Sequence, residues 1–208
     1  MKTMLANKKI LSVCTTAVIA IVMFAQIAIA ATIDFEDLTL GTEYNVGDTF
    51  TSAGVQITGE SFFSFPSGPV VISGSAAVSN GALAGGAGLG FWINNINLSF
   101  DFGAPLDGLA LQYGEFGGNI NLDINGTLVN VENFANIPLT VAGTSVFTLD
   151  TGTGTGSLFI IGNINSFAIG GQELAIDNIV ASVVPEPVTI TMLGFGVLLA
   201  LKRKKRTR

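Results

Sequence analysis

The chain has 208 residues, 49% of them hydrophobic and only 12% charged, with nine Lys and Arg, fifteen Asp and Glu, no His and one Cys. All nine basic residues lie before Ile10 or after Leu201 and all fifteen acidic ones between Ala31 and Pro187, so the formal net charge of −6 hides a 157-residue body whose side chains sum to −15. Such a body forms no side-chain salt bridge, has no cation for nucleic-acid phosphates or a Walker loop, and lacks the His and Cys of zinc sites and of Ser-His or Cys-His catalysis; what remains is carboxylate chemistry, namely calcium binding and glycoside hydrolysis.

Lys2, Lys8 and Lys9 precede an apolar run from Ile10 to about Ile29 that ends in Ala28-Ile29-Ala30. A positive start, an apolar middle and small residues at the end predict a signal helix over residues 1–30, cut by signal peptidase after Ala30. Cys14 leaves with it, because Val13 occupies the place where a lipobox needs a small residue. The exported body then has no thiol and no disulfide.

Residues 31–184 read as one β domain, long enough for a sizeable core. In INLSFDF, Ile96, Leu98, Phe100 and Phe102 alternate with Asn97, Ser99 and Asp101, the period of a half-buried strand. Ile120, Leu122 and Ile124 alternate up to Asn125-Gly126, and Val129 and Val131 resume the pattern, which predicts a hairpin on a type I′ turn. Further strands are expected at 32–36, 55–58, 70–72, 89–93, 108–113, 139–141, 145–149, 158–161, 166–169 and 173–183. The Gly/Ala/Ser-rich stretch 73–90 and TGTGTGS (151–157) read as loops. No internal repeat and no helical period occurs before the tail, and many short strands imply an all-β fold, an antiparallel β-sandwich whose first and last strands pair.

TIDFEDL near the start of this body and GQELAIDNIVAS at its end resemble the first and last strands of jelly-roll modules of the galactose-binding-like, carbohydrate-binding type. That resemblance implies a structural calcium bridging the two ends, and by position it nominates Glu36 and Asp177, with Asp34 and Asp37 as helpers. It also directs attention to aromatic residues that could stack on a sugar. Trp92 and Tyr113 are the candidates, beside Tyr44, Phe62, Phe63, Phe65 and Phe116, whereas Phe91, Phe100 and Phe102 belong to the core pattern. Asn97-Leu98-Ser99 and Asn125-Gly126-Thr127 match the N-glycosylation pattern, although Asn125 already has a turn to make.

The chain ends in a rigid Pro185-Glu186-Pro187, an uncharged run from Val188 to Leu201, and the cluster Lys202, Arg203, Lys204, Lys205, Arg206 and Arg208. As a helix the uncharged run would measure roughly 21 Å at ~1.5 Å per residue, short of the ~30 Å hydrocarbon core, so its basic end would snorkel at a cytoplasmic surface. The three parts in this order resemble the PEP-CTERM sorting signal of Gram-negative bacteria (residues 185–208). The resemblance implies a transient inner-membrane anchor, recognition by an exosortase, cutting near the Pro-Glu-Pro and delivery to the cell surface or extracellular matrix. The expectation is a non-enzymatic, structural or adhesive protein of an exopolysaccharide layer that binds no nucleic acid. The alternatives are a permanently membrane-anchored surface binding protein and a carboxylate-only glycoside hydrolase.

Overall fold

A computed structural model describes residues 30–64, 70–71 and 73–183. The expected signal helix and the C-terminal hydrophobic helix lie outside these residues, as do Ala28, Phe65, Pro185, Glu186, Pro187 and the basic cluster from Lys202 to Arg208. Fourteen strands follow one another: β1 Ala30–Ile33, β2 Glu43–Asn45, β3 Thr49–Ser52, β4 Val55–Phe63, β5 Val70–Val71, β6 Ser75–Asn80, β7 Leu89–Asn94, β8 Ile96–Asp101, β9 Leu106–Ile124, β10 Thr127–Val131, β11 Thr140–Val141, β12 Thr144–Asp150, β13 Thr155–Ile164 and β14 Phe167–Val183. Two 3₁₀ turns, Gly81–Ala84 and Phe134–Asn136, are the helical elements among the described residues. None of these is long and apolar enough to cross a membrane.

Every strand pair is antiparallel, and the all-β sandwich expected from the sequence is what the chain forms. Its spine is the pair β9 and β14, paired from Phe167 opposite Ile124 to Val183 opposite Leu106 with several shifts of register. At one end the spine continues through β8 to β4 and β3, with β10 on its other side; elsewhere it continues through β13 and β12 on one side and β7, β6 and β2 on the other. Shifts of register at Gly171/Glu173 and Asp177/Val180 let β14 bend between these wings. The expected pairing of the ends is present, with Ala30 opposite Ser182 and Ile33 opposite Ile179.

Both wings close on one hydrophobic cluster that includes Ile33, Phe35, Ile57, Phe91, Leu98, Leu122, Leu158 and Ile176. Each such side chain contributes about 1.5–3 kcal/mol on burial, the principal stabilising source in a body without ion pairs or disulfides. Ile96, Leu98 and Phe100 point inward as the alternation predicts, while Phe102 is only half-buried. The Asn125-Gly126 turn takes positive φ at both residues, 55° and 75°. Asn125 also fastens the hairpin to the β13–β14 connection: its Nδ2 donates to the Asn163 carbonyl (2.9 Å), and its Oδ1 accepts from Asn165 N (2.7 Å).

Three expectations need correction. The stretch 73–90 is not one loop: Ser75–Asn80 forms β6, with Ala76 and Val78 buried, because small residues suffice where a strand is clamped between β2 and β7. Thr155, Gly156 and Ser157 belong to β13 rather than to a loop. The separate strands expected at 108–113 and 120–124, and at 166–169 and 173–183, are the single long strands β9 and β14. In the first of these Gly117 and Gly118, at φ 144° and 72°, bend the strand without ending it. Asn97, a match to the glycosylation pattern, is buried and donates to the Ser61 carbonyl at 2.8 Å.

Candidate functional site

The four nominated carboxylates divide between two jobs. After β1 the chain turns sharply at Phe35, whose φ of +60° is uncommon for a bulky residue. The turn drops the Phe35 ring into the core, edge-on to Phe91 at 4.8 Å, and sends Glu36 outward. Glu36 Oε1 accepts from Leu89 N at 2.7 Å, at the start of β7. Asp34 caps the same turn, its Oδ1 accepting from Glu36 N at 3.3 Å. Asp37 goes elsewhere, to Ser52 Oγ (2.6 Å) and Ala53 N (2.8 Å) in the β3–β4 turn, and the Ser52 bond chiefly holds its pKa below the usual carboxylate range.

Asp177 comes to the Glu36 corner from β14. It is fully buried, and it accepts from Asn178 N (2.7 Å), Asn178 Nδ2 (3.2 Å) and Ala87 N. Burial pushes its carboxyl up to about 6 against the pull of the two backbone amides, and the charges of Glu36 and Asp34 add to the rise. The segment between Gly81 and Gly90 makes room for both acids by lacking side chains. A methyl group at Gly81 would lie 2.5 Å from Asp177 Oδ2, one at Gly86 would strike the same oxygen, and one at Gly88 would strike Glu36 Oε1. Glu36 and Asp177 therefore clasp one glycine-lined loop between the two ends of the domain.

As a calcium set this is a partial shell. Two carboxylates lie against the loop, with Asp34 close enough to act on Asp177 electrostatically, but no cluster of three or more acidic, His or Cys side chains suited to a metal occurs among the described residues. Calcium takes six to eight oxygens, so backbone carbonyls of the loop would have to supply much of the rest.

A second carboxylate cluster has no signature in the sequence. Asp150 on β12 lies opposite Gly156 on β13, and Gly156 lies opposite Tyr113 on β9. Residues directly opposite share a face, so Asp150 and Tyr113 lie on one face across a glycine that makes room for the Tyr113 ring. A cavity of about 360 Å³ opens there, lined by Tyr113, Glu115, Asn133, Phe134, Thr148 and Asp150 among others. Phe134, in the second 3₁₀ turn, stacks flat on Tyr113 with centroids 3.7 Å apart. Glu115 Oε2 accepts from Phe134 N at 3.1 Å and fixes that turn, and burial pushes the Glu115 carboxyl above its usual range, with Asp150 adding to the rise. The same burial, reinforced by Asp150 and Glu115, lifts the Tyr113 phenol to about 12.

The two nominated aromatic residues thus part company. Tyr113 is 3% exposed and reaches ligand space only through this cavity. Trp92 is half-buried, on the face of β7 opposite Phe91 and Ile93, and lies 5.1 Å from Phe116, which is 49% exposed. Phe62 belongs to the core, and Tyr44 stacks on Phe50. No family model, curated protein or solved structure matches this chain, so its sites stand on their own geometry.

Proposed function

We propose that this chain is an exported protein with a structural or adhesive role in an exopolysaccharide layer, delivered by a signal peptide and released near its Pro-Glu-Pro by an exosortase. The observation that carries this reading is the segregation of charge: a body of −15 without one basic side chain, set between a basic-apolar start and a tail of Pro-Glu-Pro, uncharged run and basic end. A polyanion of this kind holds itself apart from its copies and associates through cations or neutral polymers. Calcium at Glu36 and Asp177 fits the same reading, since a divalent ion would relieve the repulsion at the clasp and tie the two ends of the domain together.

The test is the intact mass of the protein recovered from its native cells. A chain that runs from Ala31 to near Pro187, with or without an added group, supports release; a mass extending through Arg208 makes the tail a permanent anchor and overturns it. Calcium is tested by melting the protein with the ion and with a chelator. No difference in midpoint removes the metal from the proposal.

One observation favours a second reading, a carboxylate-only glycoside hydrolase: Glu115 and Asp150 share a cavity beside Tyr113 and Phe134, and the half-buried Glu115 has a raised pKa, as a general acid needs. Release of new reducing ends from polysaccharide, abolished in Glu115→Gln, would establish it. Without such release from a panel of glycans, the hydrolase reading fails.

A further inference from the structure

We infer that the cavity formed by Tyr113, Glu115 and Asp150 binds a protonated amine carried on a sugar, that is, an amino-sugar unit of a cationic polysaccharide. The inference deepens the matrix reading and rests on it for the source of the ligand. Three oxygens of the cavity carry the argument. Glu115 uses Oε2 on Phe134 N, which leaves Oε1 without a partner among the described residues. Asp150 uses Oδ1 on Gly152 N at 2.7 Å, which leaves Oδ2. The Tyr113 hydroxyl makes no hydrogen bond with any described residue although the side chain is 3% exposed. No sealed side-chain polar atom lacks a partner among the described residues, so this oxygen opens onto the cavity and is not shut in the core.

What can satisfy these atoms follows from their chemistry. Ionised carboxylates only accept hydrogen bonds, so the ligand must donate. Two carboxylates that repel each other in a half-enclosed space gain most from a donor bearing positive charge, because charge-assisted bonds are roughly twice as strong as neutral ones. The body has no Lys, Arg or His that could take this place. Asn133 and Thr148 on the rim suit the hydroxyls of a sugar ring, and Tyr113 and Phe134, stacked on each other and nearly buried, close the inner wall. The volume of about 360 Å³ lies at the small end of ligand sites and suits one or two sugar rings. Gly156 makes room for the Tyr113 ring itself, since a methyl group there would come within 2.5 Å of the Tyr113 hydroxyl.

The experiment is calorimetric titration of the full-length chain with a glucosamine trimer, at a pH where its amines are protonated, and with the N-acetylated trimer, which has the same ring without the charge. The glucosamine trimer should bind at least roughly tenfold more tightly, a difference of about 1.4 kcal/mol. Asp150→Asn and Glu115→Gln should each erase most of that preference, and Tyr113→Phe, which keeps the stack on Phe134, should weaken binding several-fold. Asp150 is exposed, so its variant remains informative if Glu115→Gln disturbs the turn at Phe134. Absence of binding, equal affinity for the acetylated trimer, or full affinity in Asp150→Asn would each overturn the inference. So would displacement of the trimer by stoichiometric calcium, which would make the cavity a metal site. Failure here is separable from failure of the matrix reading: a processed chain that ignores the trimer loses only the cavity, and an unprocessed chain that binds it loses only the release.

Discussion

Asp177 and Glu115 are both acids held above their ordinary pKa by burial, and each sits beside a 3₁₀ turn, Glu115 bonded to Phe134 N and Asp177 packed against Gly81. Their surroundings differ in what is left over. At the clasp, backbone and side-chain N–H groups of Ala87 and Asn178 occupy both oxygens of Asp177, Leu89 N takes one oxygen of Glu36, and glycines bring the loop against them. In the cavity, one oxygen each of Glu115 and Asp150 and the Tyr113 hydroxyl remain open. Perturbed titration alone therefore does not separate a structural acid from a binding one. The unspent hydrogen-bonding capacity does.

The contrast between the two clusters is most exposed to test at the clasp. Gly88→Ala puts a Cβ at a φ of +69° and pushes the Glu36 carboxylate off Leu89 N, and should cost about 3 kcal/mol, roughly half from the backbone and half from the lost charge-assisted bond. Gly86→Ala and Asp177→Ala should each cost roughly 1–3 kcal/mol, the first by collision and the second by losing the bonds to Ala87 N and Asn178. Asp150→Ala, exposed and bound only to its own turn, should cost less than about 1 kcal/mol. Denaturant unfolding of the four variants gives the order directly. A cavity variant that destabilises as much as the clasp variants would show that the two clusters share one structural role.

Proton linkage separates the two acids further. The Asp177 pKa of about 6 in the folded state lies above its ordinary value of 3.8, so between these values the folded protein binds the extra proton and stability falls as pH rises. With chelator present, the melting midpoint should therefore rise as the pH is lowered from 7 toward 5. The full effect is at most on the order of 3 kcal/mol, since each tenfold difference in proton affinity between the folded and unfolded chain is worth ~1.4 kcal/mol. Asp177→Asn should flatten the rise, and calcium should flatten it too if the ion binds at the clasp. An unchanged slope in Asp177→Asn would assign the pH dependence to general repulsion among the acids of the body.

Much of the fold was legible in the sequence. Period-two runs such as Ile96-Leu98-Phe100 and the Asn125-Gly126 turn carry their own geometry, because alternation and positive φ are local demands. β6 was illegible because Ser75-Ala76-Ala77-Val78 contains little apolar bulk, and its place between β2 and β7 is a tertiary fact. The long spine reads as shorter strands because its glycines signal turns locally but act as bends once both neighbours are paired. The same division holds for the sites. The approach of Glu36 and Asp177 follows from the pairing of the domain's ends, which the strand patterns at the two ends already implied. Glu115 and Asp150 are 35 positions apart with no motif between them, and only the register through Gly156 brings them to one cavity.

The smallest expected effect lies at the open oxygen of Tyr113. The chain has two tyrosines, and burial raises both phenols, Tyr44 with help from Asp37 and Tyr113 with help from Asp150 and Glu115. In a Tyr44→Phe background, the phenolate absorbance reports Tyr113 alone. Its folded-state value of about 12 exceeds the ordinary 10.0, so the unfolded chain loses this proton first and the phenol erodes stability as pH climbs past 10. Asp150→Asn removes one of the two charges that oppose ionisation, and the phenolate should then form at lower pH than in the parent. The change should be modest, since burial is the larger cause and remains. If Asp150→Asn leaves the curve in place, the aspartate does not face the phenol closely enough to share a bound amine with it, and the amine site is overturned.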